Sequence, residues 1–124
     1  MTGSMMESPD EFNEGDIVLI DFRPAKVHEQ DGMRPALVMS DAAYNAASSY
    51  LVVCPITSNT RPWPFKMPLP DGLKVHGFVM IDQIKSIDRR RRVLRFIDHV
   101  PDEAMRDYRM RLAALFRFKV EDDR

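Results

Sequence analysis

The side chains best suited to chemistry lie where apolar, strand-like segments begin or end. Arg34 directly precedes the segment 35–40, and Thr57 directly follows the apolar segment 50–56. Glu29 lies in the polar stretch before the first of these segments. If the two strands are neighbours, Arg34 and Thr57 converge at one rim, where strands fix the backbone and side chains face solvent. The spacing alone leaves open whether these residues are catalytic or structural.

The sequence carries no motif typical of a metal-dependent or nucleotide-binding enzyme. It contains no HExxH, CxxC, paired-aspartate, GxGxxG or P-loop pattern, and its three histidines are too scattered to form a recognisable metal signature. The single cysteine, Cys54, lies in the most apolar segment, which favours a packing role over a nucleophilic one. The usual metal-dependent and nucleotide-cofactor enzymes are therefore poorly supported by the sequence.

Length and composition are typical of one globular domain. The chain has 124 residues, of which 44% are hydrophobic and 30% are charged, enough for one modest core. No apolar run reaches the ~18 residues of a membrane-spanning helix, and the first residues lack the pattern of a secretory signal. One cysteine cannot form an internal disulfide, so we expect a cytoplasmic protein. We expect residues 1–14 to form a flexible tail and residues 15–120 the domain.

Charge is distributed unevenly along the chain. The formal net charge is −1, but residues 1–33 carry −6 and residues 74–124 carry +4. Within residues 84–97, six basic side chains accompany Asp88 alone, and four of the six form the run Arg89–Arg92. Such a run attracts phosphates if it forms one face of the protein. The alternative is a solvated turn and strand edge, and the sequence does not decide between the two.

The apolar pattern predicts a mainly β fold. Residues 41–49 predict a short helix after the second strand, and residues 101–118 an amphipathic C-terminal helix. Prolines and glycine predict loops at 23–33 and 58–64. Several short strands separated by turn residues are typical of a small β-barrel or a strongly bent sheet. The predicted strands are 17–22, 35–40, 50–56, 65–69, 77–81 and 93–97.

Four short segments carry a specific family signal through their order and spacing. They read Gly-Asp-Ile-Val at 15–18, Glu-Gln-Asp-Gly-Met-Arg-Pro-Ala-Leu-Val at 29–38, Pro-Ile-Thr at 55–57 and Asp-Gln-Ile-Lys-Ser-Ile-Asp at 82–88. On these residues the chain resembles the MazF/PemK toxins, and the likeness extends from about residue 15 to the final helix.

The resemblance implies a fold, an activity and partners. The implied fold is an SH3-like β-barrel of the CcdB/Kid/MazF superfamily with a C-terminal helix, and the implied assembly is a homodimer. The implied activity is that of a sequence-specific, metal-independent endoribonuclease, an mRNA interferase that cleaves single-stranded RNA. As the toxin of a bacterial toxin–antitoxin system, such a protein inhibits translation and growth, and its partner is a cognate antitoxin protein.

The resemblance also implies catalytic residues. The family's core arginine and threonine correspond to Arg34 and Thr57, and its loop glutamate corresponds to Glu29. Some members have a histidine where this chain has Met33, so a histidine acid or base is unavailable at that position. His28 lies nearby, and the sequence leaves open whether His28 or Glu29 is the general base.

RNA supplies its own nucleophile in such a reaction, the ribose 2′-hydroxyl, and the products carry 2′,3′-cyclic phosphate and 5′-hydroxyl ends. The guanidinium of Arg34 matches phosphate oxygens and stays charged at any working pH. Thr57 would donate a hydrogen bond to the same phosphate, and Glu29 would accept the proton of the nucleophile.

Other side chains are candidates for binding RNA through stacking, hydrogen bonds and charge. Packing in the core or in a dimer is the alternative for Trp63, and a backbone contact is the alternative for Gln83. A basic, partly apolar groove would also suit an acidic segment of the antitoxin, which would block the RNA site. The substrate-binding candidates are His28, Gln30, Ser58, Trp63, Gln83 and Lys85.

Two other classes of function remain as alternatives. A noncatalytic, CcdB-like protein would poison a DNA topoisomerase by binding it, and an SH3-like module would bind RNA or protein without cleaving. The presence of both Arg34 and Thr57 in their family context argues against the topoisomerase poison. The binding module predicts RNA binding that survives the loss of either residue and is accompanied by no cleavage.

Overall fold

The computed structural model describes residues 11–23 and 32–118. Within them the helices are α1 (Ala42–Ala47), α2 (Arg89–Arg92) and α3 (Asp102–Phe116), and a 3-10 helix spans Ile81–Gln83. These elements confirm a mainly β fold with a short helix after the second strand and a C-terminal helix. The strands are β1 (Asp16–Asp21), β2 (Met33–Val38), β3 (Tyr50–Thr57), β4 (Lys66–Pro68), β5 (Phe78–Met80), β6 (Lys85–Asp88) and β7 (Val93–His99).

The strands form one antiparallel sheet in the order β4–β5–β3–β2–β1–β7, with β6 paired to β3. The central strand is β3, which pairs with three neighbours. Its first half pairs with β6, its middle with β2, and its last two residues, Ile56 and Thr57, with β5.

Five strands, in the order β7–β1–β2–β3–β6, curl into a barrel. The two outermost strands are joined by the single turn α2, and they contribute Ile87 and Val93 to the same apolar cluster. We call this the barrel cluster. Its buried members are Phe12, Val18, Ile20, Ala36, Val38, Leu51, Val53 and Ile87, with Phe22 and Val93 packed against them.

The opposite face of the same strands is covered by α3. Successive strand residues point to opposite faces, so Leu37 and Cys54 pack away from the barrel, against Met105 and Tyr108 of α3. Burial raises the pKa of Tyr108 to about 12, and its hydroxyl donates a 2.8 Å hydrogen bond to the carbonyl of Pro68. Within the apolar segment 50–56, residues 53–56 are buried on both faces of the sheet. Among the described helices, none is long and apolar enough to cross a membrane.

The N-terminal packing begins earlier than the sequence predicts. Residues 1–10 lie outside the described residues, but Phe12 is only 7% exposed and belongs to the barrel cluster. The buried side chain of Asn45 in α1 donates a 3.0 Å hydrogen bond to the carbonyl of Phe12. Asp41 caps the N-terminus of α1, where its side chain accepts a 2.9 Å hydrogen bond from the amide of Ala43. The packed part of the chain therefore includes residues that the sequence assigned to a tail.

One strand boundary and one additional strand differ from the prediction in ways that affect the site. Strand β2 begins at Met33 because its pairing with β1 extends to Asp21 opposite Met33; Arg34 therefore lies within the strand rather than before it. Strand β6 was not predicted because Ile87 is its only buried side chain, so it lacks the repeated apolar alternation of a recognisable strand.

Candidate active site

Arg34 and Thr57 lie at the same end of the barrel and on the same face of the sheet. The ladder between β2 and β3 ends with Ala36 opposite Pro55. Arg34 and Thr57 each lie two residues beyond that pair, and residues two apart along a strand share a face. Arg34 is exposed and Thr57 is half-buried as the last residue of β3. The rim predicted from the sequence is therefore present, although both residues lie inside their strands.

The hydroxyl of Thr57 is held in a defined orientation. Its Oγ1 accepts a 3.1 Å hydrogen bond from the amide of Asn59, and the side chain of Asn59 accepts a 2.8 Å hydrogen bond from the amide of Arg61. Because the amide of Asn59 occupies one acceptor position of Oγ1, the O–H of Thr57 remains available to donate to a ligand. The geometry suits a hydrogen bond from Thr57 to an anionic group.

Gly77 presses against the backbone of Thr57. A Cβ atom at position 77 would overlap the carbonyl oxygen of Thr57 and lie 3.2 Å from its carbonyl carbon. The φ of Gly77 is +138°, which L side chains rarely adopt. Glycine at this position therefore allows β5 to approach the residue that ends β3.

The side chain of Arg34 is exposed. Arg34 is the cross-strand partner of Ile20, whose side chain belongs to the barrel cluster. Among residues 11–23 and 32–118, no hydrogen bond or ion pair engages the Arg34 side chain. As far as the described residues go, its planar donors are available to phosphate oxygens, which they match in pairs.

Lys85 lies at the same end of the barrel as Arg34. It begins β6 as the cross-strand partner of Val53, so it shares the barrel-cluster face. Its Nζ lies 5.0 Å from the ring centroid of Phe22, just after β1. A cation–π contact of this kind holds the ammonium near the ring, and because the group is exposed it keeps most of its hydration.

Trp63 and Gln83 are joined through the residue that precedes Gln83. The Nε1 of Trp63 donates a 2.9 Å hydrogen bond to Asp82, and Asp82 and Gln83 belong to the 3-10 helix that leads into β6. Trp63 is 52% exposed, so its ring is accessible to a ligand and is not packed in the core. Ser58 is also exposed, directly after Thr57. Four of the six substrate-binding candidates, including Lys85, are therefore accessible at or near this end of the barrel.

The run Arg89–Arg92 does not form one charged face. Arg89 is only 6% exposed, and the side chain of Arg92 donates hydrogen bonds to the carbonyls of Asp21 and Arg23. The Arg23 guanidinium, 2.9 Å from the carboxylate of Asp21, lowers the pKa of Asp21 to about 2. Consecutive helical residues point about 100° apart, so one turn leaves only the middle two arginines exposed. Of the two alternatives that the sequence leaves open, this geometry favours a solvated turn over one continuous phosphate-attracting face.

His28, Glu29 and Gln30 lie outside the described residues, so their roles stay predictions. The amide of Phe22 donates a 2.9 Å hydrogen bond to the carbonyl of Gly32. This bond joins the two ends of the segment that contains them, next to Arg34. The choice between His28 and Glu29 as general base is unaffected by the structure.

The buried position of Cys54 makes its thiol unreactive. It is fully buried, and burial, followed by the nearby negative charge of Asp82, raises the pKa of its thiol to about 12. A thiol with so high a pKa carries almost no thiolate at neutral pH. The predicted packing role is confirmed.

Three residues near the site were not singled out from the sequence. Phe22 supports Lys85, Asp82 anchors Trp63, and Lys66 binds the loop that follows Thr57. Asp82 adjoins Gln83 in one of the family-like segments, which was a usable signal. Phe22 and Lys66 had none, because their contacts join elements that only the folded chain brings together.

Residues 13–116 match the family described as PemK-like, MazF-like toxin of type II toxin–antitoxin system. The endoribonuclease toxin ChpB of Escherichia coli (strain K12) is 40% identical to this chain over 116 residues, which cover 89% of this chain and 98% of ChpB.

Solved structures agree with the sequence match. A crystal structure of MazF (Form-I) from Deinococcus radiodurans superimposes with a TM-score of 0.76 at 36% identity, covering 86% of this chain and 97% of that one. A chain in the MazE–MazF (Form-III) crystal structure from the same organism gives a TM-score of 0.77 at 32% identity, covering 88% of this chain and 99% of that one. The fold and the sequence therefore point to the same group of proteins.

Proposed function

Because this chain belongs to the family of PemK-like, MazF-like toxins of type II toxin–antitoxin systems, we propose that its endoribonuclease activity resides at the barrel end that carries Arg34 and Thr57. One observation carries the proposal: an exposed guanidinium and a hydroxyl with its proton available lie on one face, two residues beyond the same strand pair. The substrate is single-stranded RNA, cut at short sequence motifs in mRNA in the cytoplasm.

The chemistry needs only the RNA and protein side chains. The 2′-oxygen of the ribose bonds to the adjacent phosphorus, the bond from phosphorus to the 5′-oxygen breaks, and the 2′-hydroxyl proton passes to a base, Glu29 or His28. A proton delivered to the departing 5′-oxygen completes the reaction. Arg34 stabilises the charge that develops on the phosphorane, a contribution of about 3–4 kcal/mol for one well-placed donor. Thr57 donates to the same phosphate group and fixes its orientation.

The RNA strand runs from the catalytic pair toward the 3-10 helix and β6. The exposed ring of Trp63 offers a stacking platform for an unpaired base. Gln83 and Ser58 offer hydrogen bonds, and Lys85 offers charge to the backbone phosphates. His28 and Gln30 are further contacts in the segment between β1 and β2.

The antitoxin partner follows from the family, and the MazE–MazF structure is similar to this chain. We propose that an acidic segment of the antitoxin covers the cations at this end of the barrel. Arg34 and Lys85 are exposed there, and carboxylates would compete with RNA phosphates for the same donors.

The protein forms a homodimer through β7, an edge strand in the described sheet. Its Leu94 and Phe96 are 48% and 54% exposed, and an apolar edge strand favours pairing with another chain.

We expect Phe96→Asp to convert the dimer to a monomer, because dimerisation would bury the new charge. Sedimentation velocity over a concentration series measures this. Phe118→Asp, which alters an exposed aromatic residue beyond α3, is the control. A monomeric wild-type protein at every concentration would contradict the proposal.

The activity is tested by incubating a long, mixed-sequence single-stranded RNA with the antitoxin-free protein in excess EDTA. We expect discrete cuts at a short motif, with 5′-hydroxyl and 2′,3′-cyclic phosphate ends, because no step uses a metal. Uniform degradation would indicate a contaminating nuclease. No cutting by folded protein would contradict the proposal and favour a topoisomerase poison or a binding module.

A further inference from the structure

The loop that follows Thr57 is organised around one ammonium group. The Nζ of Lys66 donates hydrogen bonds to the carbonyl of Asn59 at 3.0 Å and to the carbonyl of Arg61 at 2.7 Å. It also lies 3.4 Å from the side-chain oxygen of Asn59. Three oxygens from two loop residues therefore face a single cation.

This convergence needs a positive group at its centre. Three oxygens turned toward one point repel each other, and loop carbonyls without donors lose the hydrogen bonds that water would have given them. An ammonium carries three donors and no acceptor, so it satisfies all three oxygens at once. A neutral side chain of the same length offers none of these bonds, and we expect the loop to rearrange without them.

The same lysine is tied to the strand pair that ends at Thr57. Its backbone lies in β4, opposite Met80 of β5, and its Nζ lies 5.9 Å from the ring centroid of Phe78. Phe78 is the cross-strand partner of Thr57. Lys66 therefore links the end of β3, through β5, to the loop that leaves it.

We propose that Lys66 is a positioning residue for Thr57, acting through Asn59 and not through contact with RNA. The amide of Asn59 fixes the Thr57 hydroxyl, and Lys66 holds the carbonyl of that same residue. Loss of the ammonium releases Asn59, and the Thr57 hydroxyl then loses its orientation. This inference rests on the proposed role of Thr57 in RNA cleavage.

The first test replaces the ammonium with a neutral group of similar length, Lys66→Met. We expect kcat to fall about 10-fold or more, since small displacements of catalytic groups cost up to about 100-fold, with KM nearly unchanged. The matched control is Lys74→Met, which removes an exposed lysine from the loop between β4 and β5. Lys74→Met should leave both constants unchanged.

Salt dependence separates positioning from direct RNA binding. A phosphate contact made by Lys66 would contribute about 0.7 to the slope of log affinity against log salt for a single strand. We expect the Lys66→Met slope to equal that of wild type. A slope lowered by one contact, or a rise in KM with kcat retained, would overturn the proposal.

Chemical rescue tests the ammonium itself. Lys66→Cys alkylated with 2-bromoethylamine regains an ammonium at the length of lysine, whereas alkylation with iodoacetamide gives a neutral side chain. Cys54 is buried and resists both reagents, which wild-type protein treated in parallel verifies. We expect kcat to recover only with the aminoethyl group. Equal kcat in the two alkylated proteins would overturn the proposal, whatever the stability of Lys66→Met.

Thr57→Ala distinguishes failure of this inference from failure of the proposed function. If Thr57→Ala cleaves RNA like wild type, Thr57 is not catalytic and the role of Lys66 falls with it. If Thr57→Ala is inactive but Lys66→Met keeps full kcat, the site stands and the positioning role of Lys66 is wrong.

Discussion

Arg34→Ala is expected to abolish detectable RNA cleavage, with kcat falling by at least about 10²–10³-fold, while affinity for uncleaved RNA falls only moderately. The guanidinium is exposed and unengaged within the described residues, so the protein loses a donor for the phosphorane without losing a packing contact. The melting temperature should therefore stay close to that of wild type. Single-turnover cleavage and a binding assay on a substrate that lacks the reactive 2′-hydroxyl measure the two effects separately.

Two further variants identify what Arg34 contributes. Arg34→Lys keeps the charge but loses the planar pair of donors, so we expect it to recover binding better than cleavage. Arg95→Ala removes an exposed arginine from β7, two strands away in the sheet, and should cleave normally. Wild-type cleavage by Arg34→Ala would remove Arg34 from the mechanism.

Gly77→Ala is expected to damage stability and activity together. Its Cβ atom would overlap the carbonyl oxygen of Thr57, and its φ of +138° disfavours any L side chain. We expect a loss of about 3 kcal/mol, which lowers the melting temperature by about 10–20 °C for a domain of this size. Because the displaced atom belongs to Thr57, kcat should also fall in the protein that remains folded.

The chain offers a matched control for this prediction. Gly72 has a φ of +92°, but a Cβ atom there meets nothing within 4 Å. Gly72→Ala should therefore cost only about 1–2 kcal/mol from backbone strain and leave kcat unchanged. Thermal melts and cleavage rates measured below both transitions compare the two variants. Equal losses at Gly72 and Gly77 would show that the contact with Thr57 is unimportant.

The sequence predicted the parts of this protein that depend on local pattern. Short continuous apolar runs gave β1 to β3, a three-and-four spacing gave α3, and the segments around Arg34 and Thr57 identified the family. The sequence left the run Arg89–Arg92 undecided because side-chain direction depends on local geometry: a four-residue turn buries one arginine and turns another back toward β1. The three-oxygen site of Lys66 was unpredictable, since backbone carbonyls carry no sequence signal.

The position of Thr57 at the end of β3 has a consequence for how the activity can be controlled. Strands bonded on both sides open only at free energies near that of global unfolding, whereas edges open locally at little cost. Residues 53–55 of β3 pair with β2 and residues 50–53 pair with β6, whereas Thr57 itself pairs with Phe78 of the short strand β5. The body of β3 is therefore costly to open, and the strand end that carries the hydroxyl opens at a lower cost. The barrel can therefore stay folded while the end of β3 and the loop after it change locally. A local change at this strand end would then lower the activity without unfolding the domain.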